Sequence, residues 1–331
     1  MKLFIKLIIN EMYKFFFQKK TIAFFVVIVC LLSFFAYVEG KNDVTNWRKD
    51  TEQRIVDMQK EVENIKNAPE QNDERKLEGP GQTENMNKSM IEGFQNEIKL
   101  LQYRLDHDIP DHTQTPLRFV YSAVGNIAMI IILYVIVFTA DIIAGEFSGG
   151  TIRQILVKPV KRWKLFLAKF TSSVLVNIAL FLFFLIAASL IGFILYSGNS
   201  STIYDVRMVD GEIEKINMIR HLSLELLSQI FSAVIISTIT FLIATITRKS
   251  ALATVVSFVV FFGGGMISEF FREYWFYKYL ITQNFQLSVF LTKEWLPYEG
   301  ATFGTSLFIC LVYSFVFFTA GLLIFNKRDV Y

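Results

Sequence analysis

Six long stretches of the chain carry no Asp, Glu, Lys or Arg. They are residues 21–38, 119–140, 170–196, 226–247, 250–268 and 301–326, of 18, 22, 27, 22, 19 and 26 residues. A helix needs about 20 apolar residues to cross a roughly 30 Å hydrocarbon core. The pattern therefore predicts six transmembrane helices. Strands of membrane β-barrels alternate polar and apolar positions over about ten residues. These runs do not alternate, which excludes that class.

The polar stretches between the runs have patterns of their own. Residues 2–17 place Leu3, Phe4, Leu7, Ile8, Met12, Phe15 and Phe16 near helical spacing, with Lys6, Asn10 and Lys14 between them. That predicts an amphipathic helix on the membrane surface before the first span. A basic start followed by an apolar run also imitates a signal peptide. The run is long for that role and five more follow, so an uncleaved first helix is the better reading. Residues 41–118 are polar. Ile55, Met58, Val62 and Ile65 are spaced three, four and three apart; Met86, Met90, Phe94, Ile98, Leu101 and Leu105 repeat every three or four. Pro69, Gly79, Pro80 and Gly81 interrupt between them, and such residues end helices. An antiparallel helical hairpin is expected. His107 and His112 lie near Asp106, Asp108 and Asp111, but the spacing matches no metal-ligand motif.

Charge decides which face is which. The first twenty residues carry Lys2, Lys6, Lys14, Lys19 and Lys20 against a lone Glu11. The connection between spans two and three carries Arg153, Lys158, Lys161, Arg162, Lys164 and Lys169. The link after span four has Arg248 and Lys249, and the last residues have Lys327 and Arg328. The positive-inside rule puts all four on the cytoplasmic side. Residues 39–118, with 12 basic and 17 acidic residues, then lie outside.

Composition agrees. Of 331 residues 53% are hydrophobic and 19% charged, against about 25% charged in soluble domains. The 34 Phe and six Pro exclude a disordered or collagen-like chain. The two cysteines, Cys30 and Cys310, sit in apolar runs and read as small buried hydrophobes, not a disulfide framework.

The connection between spans two and three is the most informative segment. Gly145, Gly149 and Gly150 allow tight backbone geometry, Thr151 is suited to cap a short helix, and Pro159 ends it. Trp163 is placed to anchor at the headgroups. The run Glu146-Phe-Ser-Gly-Gly-Thr-Ile-Arg-Gln-Ile-Leu, followed by Pro159 and Arg162, resembles the cytoplasmic loop of type-2 ABC exporter permeases. A Glu, a Gly-Thr pair, a Leu and a Pro-x-x-Arg stretch occupy that loop in the family. The six-span plan matches too, so the resemblance covers nearly the whole chain. It implies a permease subunit paired with a separate phosphate-loop ATP-binding subunit, which holds the ATP and Mg. It implies a second permease copy or a homologous permease. It also implies a coupling helix that sits in a cleft of the ATPase, for which the candidate residues are Glu146, Gly149, Gly150, Thr151, Arg153, Pro159 and Arg162. The long outer hairpin departs from many members of the family.

What is missing narrows the function. No G-x-x-x-x-G-K-[ST] phosphate loop occurs, so no ATP is expected on this chain; no cofactor, catalytic residue or metal site is expected either. Gly263, Gly264 and Gly265 read as a helix break or a close-packing site. The spans lack charges near their middle, which argues against a proton-coupled carrier. Asp141 and Glu225 read as snorkelling edge charges. Ser172, Ser173, Asn177, Ser232, Ser237, Thr238 and Thr240 read as groups that bond between helices or line a path. Phe271, Tyr274 and Trp275 follow span five as a candidate outer gate or substrate contact.

The expected protein is an all-α integral membrane protein with both termini cytoplasmic. Its plan is an interfacial helix over 1–20, spans at 21–38, 119–140, 167–196, 222–247, 250–268 and 301–326, and an outer helical hairpin over 39–118. A cytoplasmic coupling loop occupies 141–166, an outer loop 197–221, a re-entrant or interfacial element 269–300, and a tail 327–331. The expected function is export of an amphipathic substrate, a peptide antibiotic or lipid-like molecule, from a bacterial cell membrane, with membrane lipid as surroundings and no nucleic-acid partner. The alternative is a membrane sensor or scaffold whose outer hairpin binds a ligand without an ATPase.

Overall fold

The computed structural model describes residues 2–41, 47–67, 80–110, 115–148, 161–197, 203–209, 212–292, 296–298 and 300–327. Helix α1 (Lys2–Phe16) is followed after a two-residue break by α2 (Lys19–Gly40). Then come α3 (Trp47–Asn67) and α4 (Pro80–Asp106). Helix α5 (Pro116–Ala140) continues through a π-helical turn, Asp141–Gly145, into Glu146–Ser148. Helix α6 is Arg162–Tyr196 and α7 is Met218–Thr247. Helix α8 (Ser250–Phe258) passes through a π-helical turn, Val259–Gly263, to Gly264–Glu269. Two short helices, α9 (Ile281–Asn284) and α10 (Leu287–Thr292), precede α11 (Phe303–Lys327).

Six of these helices are long and apolar enough to cross a membrane: α2, α5 with its π turn, α6, α7, α8 and α11. The chain is a multi-pass membrane protein. Helices α5 and α7 pack centrally and are mostly buried; α8 and α11 lie at the periphery and are mostly exposed within the chain. Polar groups tie the centre. Thr139 Oγ1 is 3.0 Å from Ser173 Oγ, and Asn177 donates to Ser237 Oγ at 2.9 Å, so α5, α6 and α7 are linked by hydroxyl and amide bonds in an otherwise apolar core. Thr115 caps α5, accepting from the Arg118 N–H, with Pro116 at the first helical position, where a missing N–H costs nothing.

Helix α1 does more than lie along the bundle. Phe15 is fully buried against Phe138 of α5, with ring centroids 4.7 Å apart. The amphipathic pattern is real, but its apolar face meets protein as well as any lipid. The two polar helices α3 and α4 pack together, burying Ile55, Val62 and Leu101, with Arg54 3.3 Å from Glu97.

One element was hidden from the apolar pattern. Between α6 and α7, β1 (Tyr204–Val209) and β2 (Glu212–Asn217) form an antiparallel ladder pairing Val206 with Lys215 and Arg207 with Glu214. The membrane-spanning part is all helical, as expected; the segment read as an outer loop carries this two-stranded hairpin. Arg104 of α4 is buried against it, 2.8 Å from Asp205 and 3.0 Å from the Val206 carbonyl. Cys310 is buried as expected, but Cys30 is exposed on the outer surface of α2, because its position points away from the core stripe of Ile28, Leu32 and Ala36.

Candidate functional site

At the α1 end of the bundle, charged side chains from three helices converge where none was expected to be buried. Lys169, one of the basic residues counted toward topology, lies two turns into α6 and is only 1% exposed. Its ammonium is 2.8 Å from Glu146 Oε1, 3.2 Å from Glu11 Oε1 and 2.9 Å from the Ile142 carbonyl. Lys14, one turn after Glu11 on α1, reaches Glu11 at 3.1 Å and Glu146 at 3.3 Å. Two carboxylates and two ammonium groups thus balance in one cluster, buried at Lys169 and open to the surface at Lys14. Breaking a buried pair from one side leaves an uncompensated charge, so the cluster fixes how α1, α5 and α6 meet. Burial pulls the Lys14 ammonium down, but the carboxylates of Glu11 and Glu146 outweigh it and hold its pKa above the ordinary 10.5.

The local sequence explains the convergence. The π turn at Asp141–Gly145 inserts an extra residue into α5, and the Ile142 carbonyl becomes available to Lys169. Asp141 is no snorkelling edge charge: Lys20 and Ser250 both bond its carboxylate, tying the starts of α2 and α8 to the end of α5. The guanidinium of Arg248 lies 5.0 Å over the ring of Phe147. Arg162 donates to the Asn326 carbonyl at 3.3 Å, joining the start of α6 to the end of α11.

Of the candidates for ATPase coupling, Glu146 and Arg162 lie on the two stems of the connection. Gly149, Gly150, Thr151, Arg153 and Pro159 lie outside the described residues. The stems are joined directly through Lys169 and Glu146. Sequence reading missed Lys169, Glu11 and Lys14 as members of a site. The signals were a lone acid among five lysines at the start of the chain, and a lysine placed inside a long apolar helix.

At the other end, the segment between α8 and α11 folds back as the short helices α9 and α10, which pack against α7 and α11. Asn284, fully buried, pins it. Its amide donates to the carbonyls of Lys278 and Leu280 at 2.9 and 2.8 Å, its Oδ1 accepts from Tyr298 at 2.8 Å, and its carbonyl accepts from the Cys310 thiol at 3.3 Å. Gly264 sits against this element: an added Cβ would come within 2.6 Å of Thr282 Cγ2. Phe271, Tyr274 and Trp275 are exposed on the surface beyond it; Tyr274 stacks on Phe276, Phe271 meets it tilted and Trp275 edge-on. They form an aromatic rim, as side chains at headgroup depth do. His107 bonds the Tyr103 carbonyl at 2.9 Å and stacks on that ring.

The comparisons with known proteins agree with a membrane protein. An uncharacterized protein of Bacillus subtilis strain 168, YhcI, is 27% identical over 245 residues, covering 73% of this chain and 78% of its own. The uncharacterized membrane protein YdbK of the same strain is 30% identical over 198 residues, 59% of this chain and 76% of its own. A family model described as "Protein of unknown function (DUF2705)" matches residues 93–331, which include Glu146 and Lys169 but not Glu11. The chain belongs to the DUF2705 family.

Proposed function

We propose that this protein is the transmembrane permease subunit of an ATP-driven ABC exporter in a bacterial cell membrane. The observation that carries the reading is the ionic clamp between Glu146 and Lys169, on the two stems of the segment 149–160. A coupling element must pass force to the spans without yielding. A push on this segment reaches α5 and α6 together, and through Glu11 and Lys14 it reaches α1. The resemblance of residues 146–162 to a permease coupling loop supplies the partner, a separate ATPase holding ATP and Mg.

The basic residues gathered at the α1 end support a cytoplasmic position for it. The α3–α4 pair and the β-hairpin then stand outside the cell. A second permease copy, or a homologous chain, completes the pathway, and closure of the ATPases tilts the spans. The substrate is amphipathic, a peptide antibiotic or lipid-like molecule. The chain itself catalyses no reaction.

Co-purification from native membranes tests the reading. The tagged full chain brings down a phosphate-loop subunit with ATPase activity, and Thr151→Ala/Arg153→Ala loses that subunit or uncouples its hydrolysis. Glu146 is unsuited to this test, because its removal would also break a buried ion cluster. If no ATPase accompanies the wild-type chain, the exporter reading falls and a ligand-binding sensor takes its place.

A further inference from the structure

A groove of about 350 Å³ lies between the far end of α8 and the folded-back segment. Ligand pockets start at about 300 Å³. Phe261, Met266, Val289 and Phe290 give it apolar walls, and Gln283 and Gln286 add carboxamides. Among its described lining residues only Glu269 is charged. Its Oε1 accepts from the Tyr277 hydroxyl at 2.6 Å, and its Oε2 makes a long, solvent-exposed ion pair at 3.8 Å with Arg272, which does not line the groove. A narrower crevice adjoins it. The crevice, about 20 Å³, shares Phe261, Thr282 and Phe285 and reaches Ile235, Ile236 and Ile239 of α7.

The two ends of the groove lie at different depths. Glu269 ends α8 beside the exposed rings of Phe270, Phe271, Tyr274 and Trp275, whereas Phe261 lies about 12 Å back along the helix, toward the hydrocarbon. The walls are preorganised. Asn284 holds the folded-back segment from within, and Ser232 of α7 donates to the Phe285 carbonyl at 2.6 Å. A carboxylate at headgroup depth above an apolar slot is complementary to one kind of molecule. A phosphate or carboxylate head would meet like charge there.

We propose that this groove binds a cationic amphiphile, with its ammonium at Glu269 and its chain along Phe261 toward α7. That this amphiphile is the exported substrate rests on the exporter reading; the binding itself does not.

The test uses the full chain in phosphatidylcholine nanodiscs, with radiolabelled dodecylammonium as probe and empty discs as background. Dodecanoate and dodecanol serve as competitors. Saturable binding is expected, displaced by neither competitor at equal concentration. Glu269→Gln weakens it about tenfold, the scale of a bond to a charged group. Gly265 lines the groove, and a Cβ there meets nothing within 4 Å, so Gly265→Leu has room for its Cβ, projects the rest of its side chain into the slot and abolishes binding. Gly304→Leu, equally open but outside the groove, leaves binding unchanged. Binding that survives Gly265→Leu overturns the groove as the site. Equal displacement by dodecanol, or indifference to Glu269→Gln, overturns the cationic head. The discs hold no ATPase, so these failures leave the exporter reading standing, and failed ATPase co-purification leaves the groove standing.

Discussion

Lys169 stands 2.8 Å from Glu146, across a segment that leaves α5 at one residue and rejoins the bundle before the other. The pair closes a ring in the fold. Replacing Lys169 by Met leaves the largely buried Glu146 and Glu11 with only the half-exposed Lys14 as a partner, at a cost of about 3 kcal/mol. Thermal unfolding of the purified protein reads this as a lowered Tm. Adding Glu146→Gln recovers part of the loss, since one buried charge fewer needs a partner.

Arg104 joins α4 to the β-hairpin through Asp205. Arg104→Ala leaves that carboxylate beside a vacated pocket. Hydrogen exchange is expected to accelerate over residues 204–217 while the central helices α5 and α7 keep their protection. Uniform acceleration along the chain would show instead that the contact supports the whole bundle.

Gly264 and Thr282 meet too closely for a side chain at 264. Gly264→Ala costs about 1–3 kcal/mol through overpacking. Thr282→Ser removes the offending methyl, so the double variant should lie closer to wild type than the sum of the singles predicts. Additive losses would mean the glycine serves the backbone alone.

Tyr277 supplies a pH dependence. Burial first, then its bond to Glu269, pushes the phenol well above its ordinary value of 10. A group held protonated in the fold contributes stability that is intact below pH 10. That contribution is lost as the pH climbs from 10 toward the folded-state value. Ultraviolet titration of the folded protein should show Tyr277 still protonated at pH 11, judged against Tyr277→Phe. In that variant the alkaline loss of stability above pH 10 should be smaller.

The six long helices and the two polar arms were legible because each repeats one physical pattern over many residues. Charge-free length marks the spans, and apolar spacing of three and four marks α3 and α4. The β-hairpin escaped because six-residue strands carry too short a pattern to stand out among polar loops. Lys169 escaped for another reason. Its charge fits the positive-inside rule equally well exposed or buried, and only Glu11 and Glu146, neither near it in sequence, distinguish the two. Asp141 was read as an edge charge because Lys20 and Ser250 are its neighbours in space and not in sequence. The aromatic residues 271, 274 and 275 were visible as a cluster, but the groove beside them is formed by Gln283, Val289 and Phe290, which no local motif singles out.

The central packing of α5 against α7 has a consequence for biogenesis. These helices are separated by α6 and the β-hairpin, so the core is incomplete until residue 247 has left the ribosome and entered the bilayer. Until then α5 must wait in lipid with its Thr139 hydroxyl short of its full set of partners. The first three spans can pack on one another as they arrive, but the centre of the bundle is completed only when the fourth joins them.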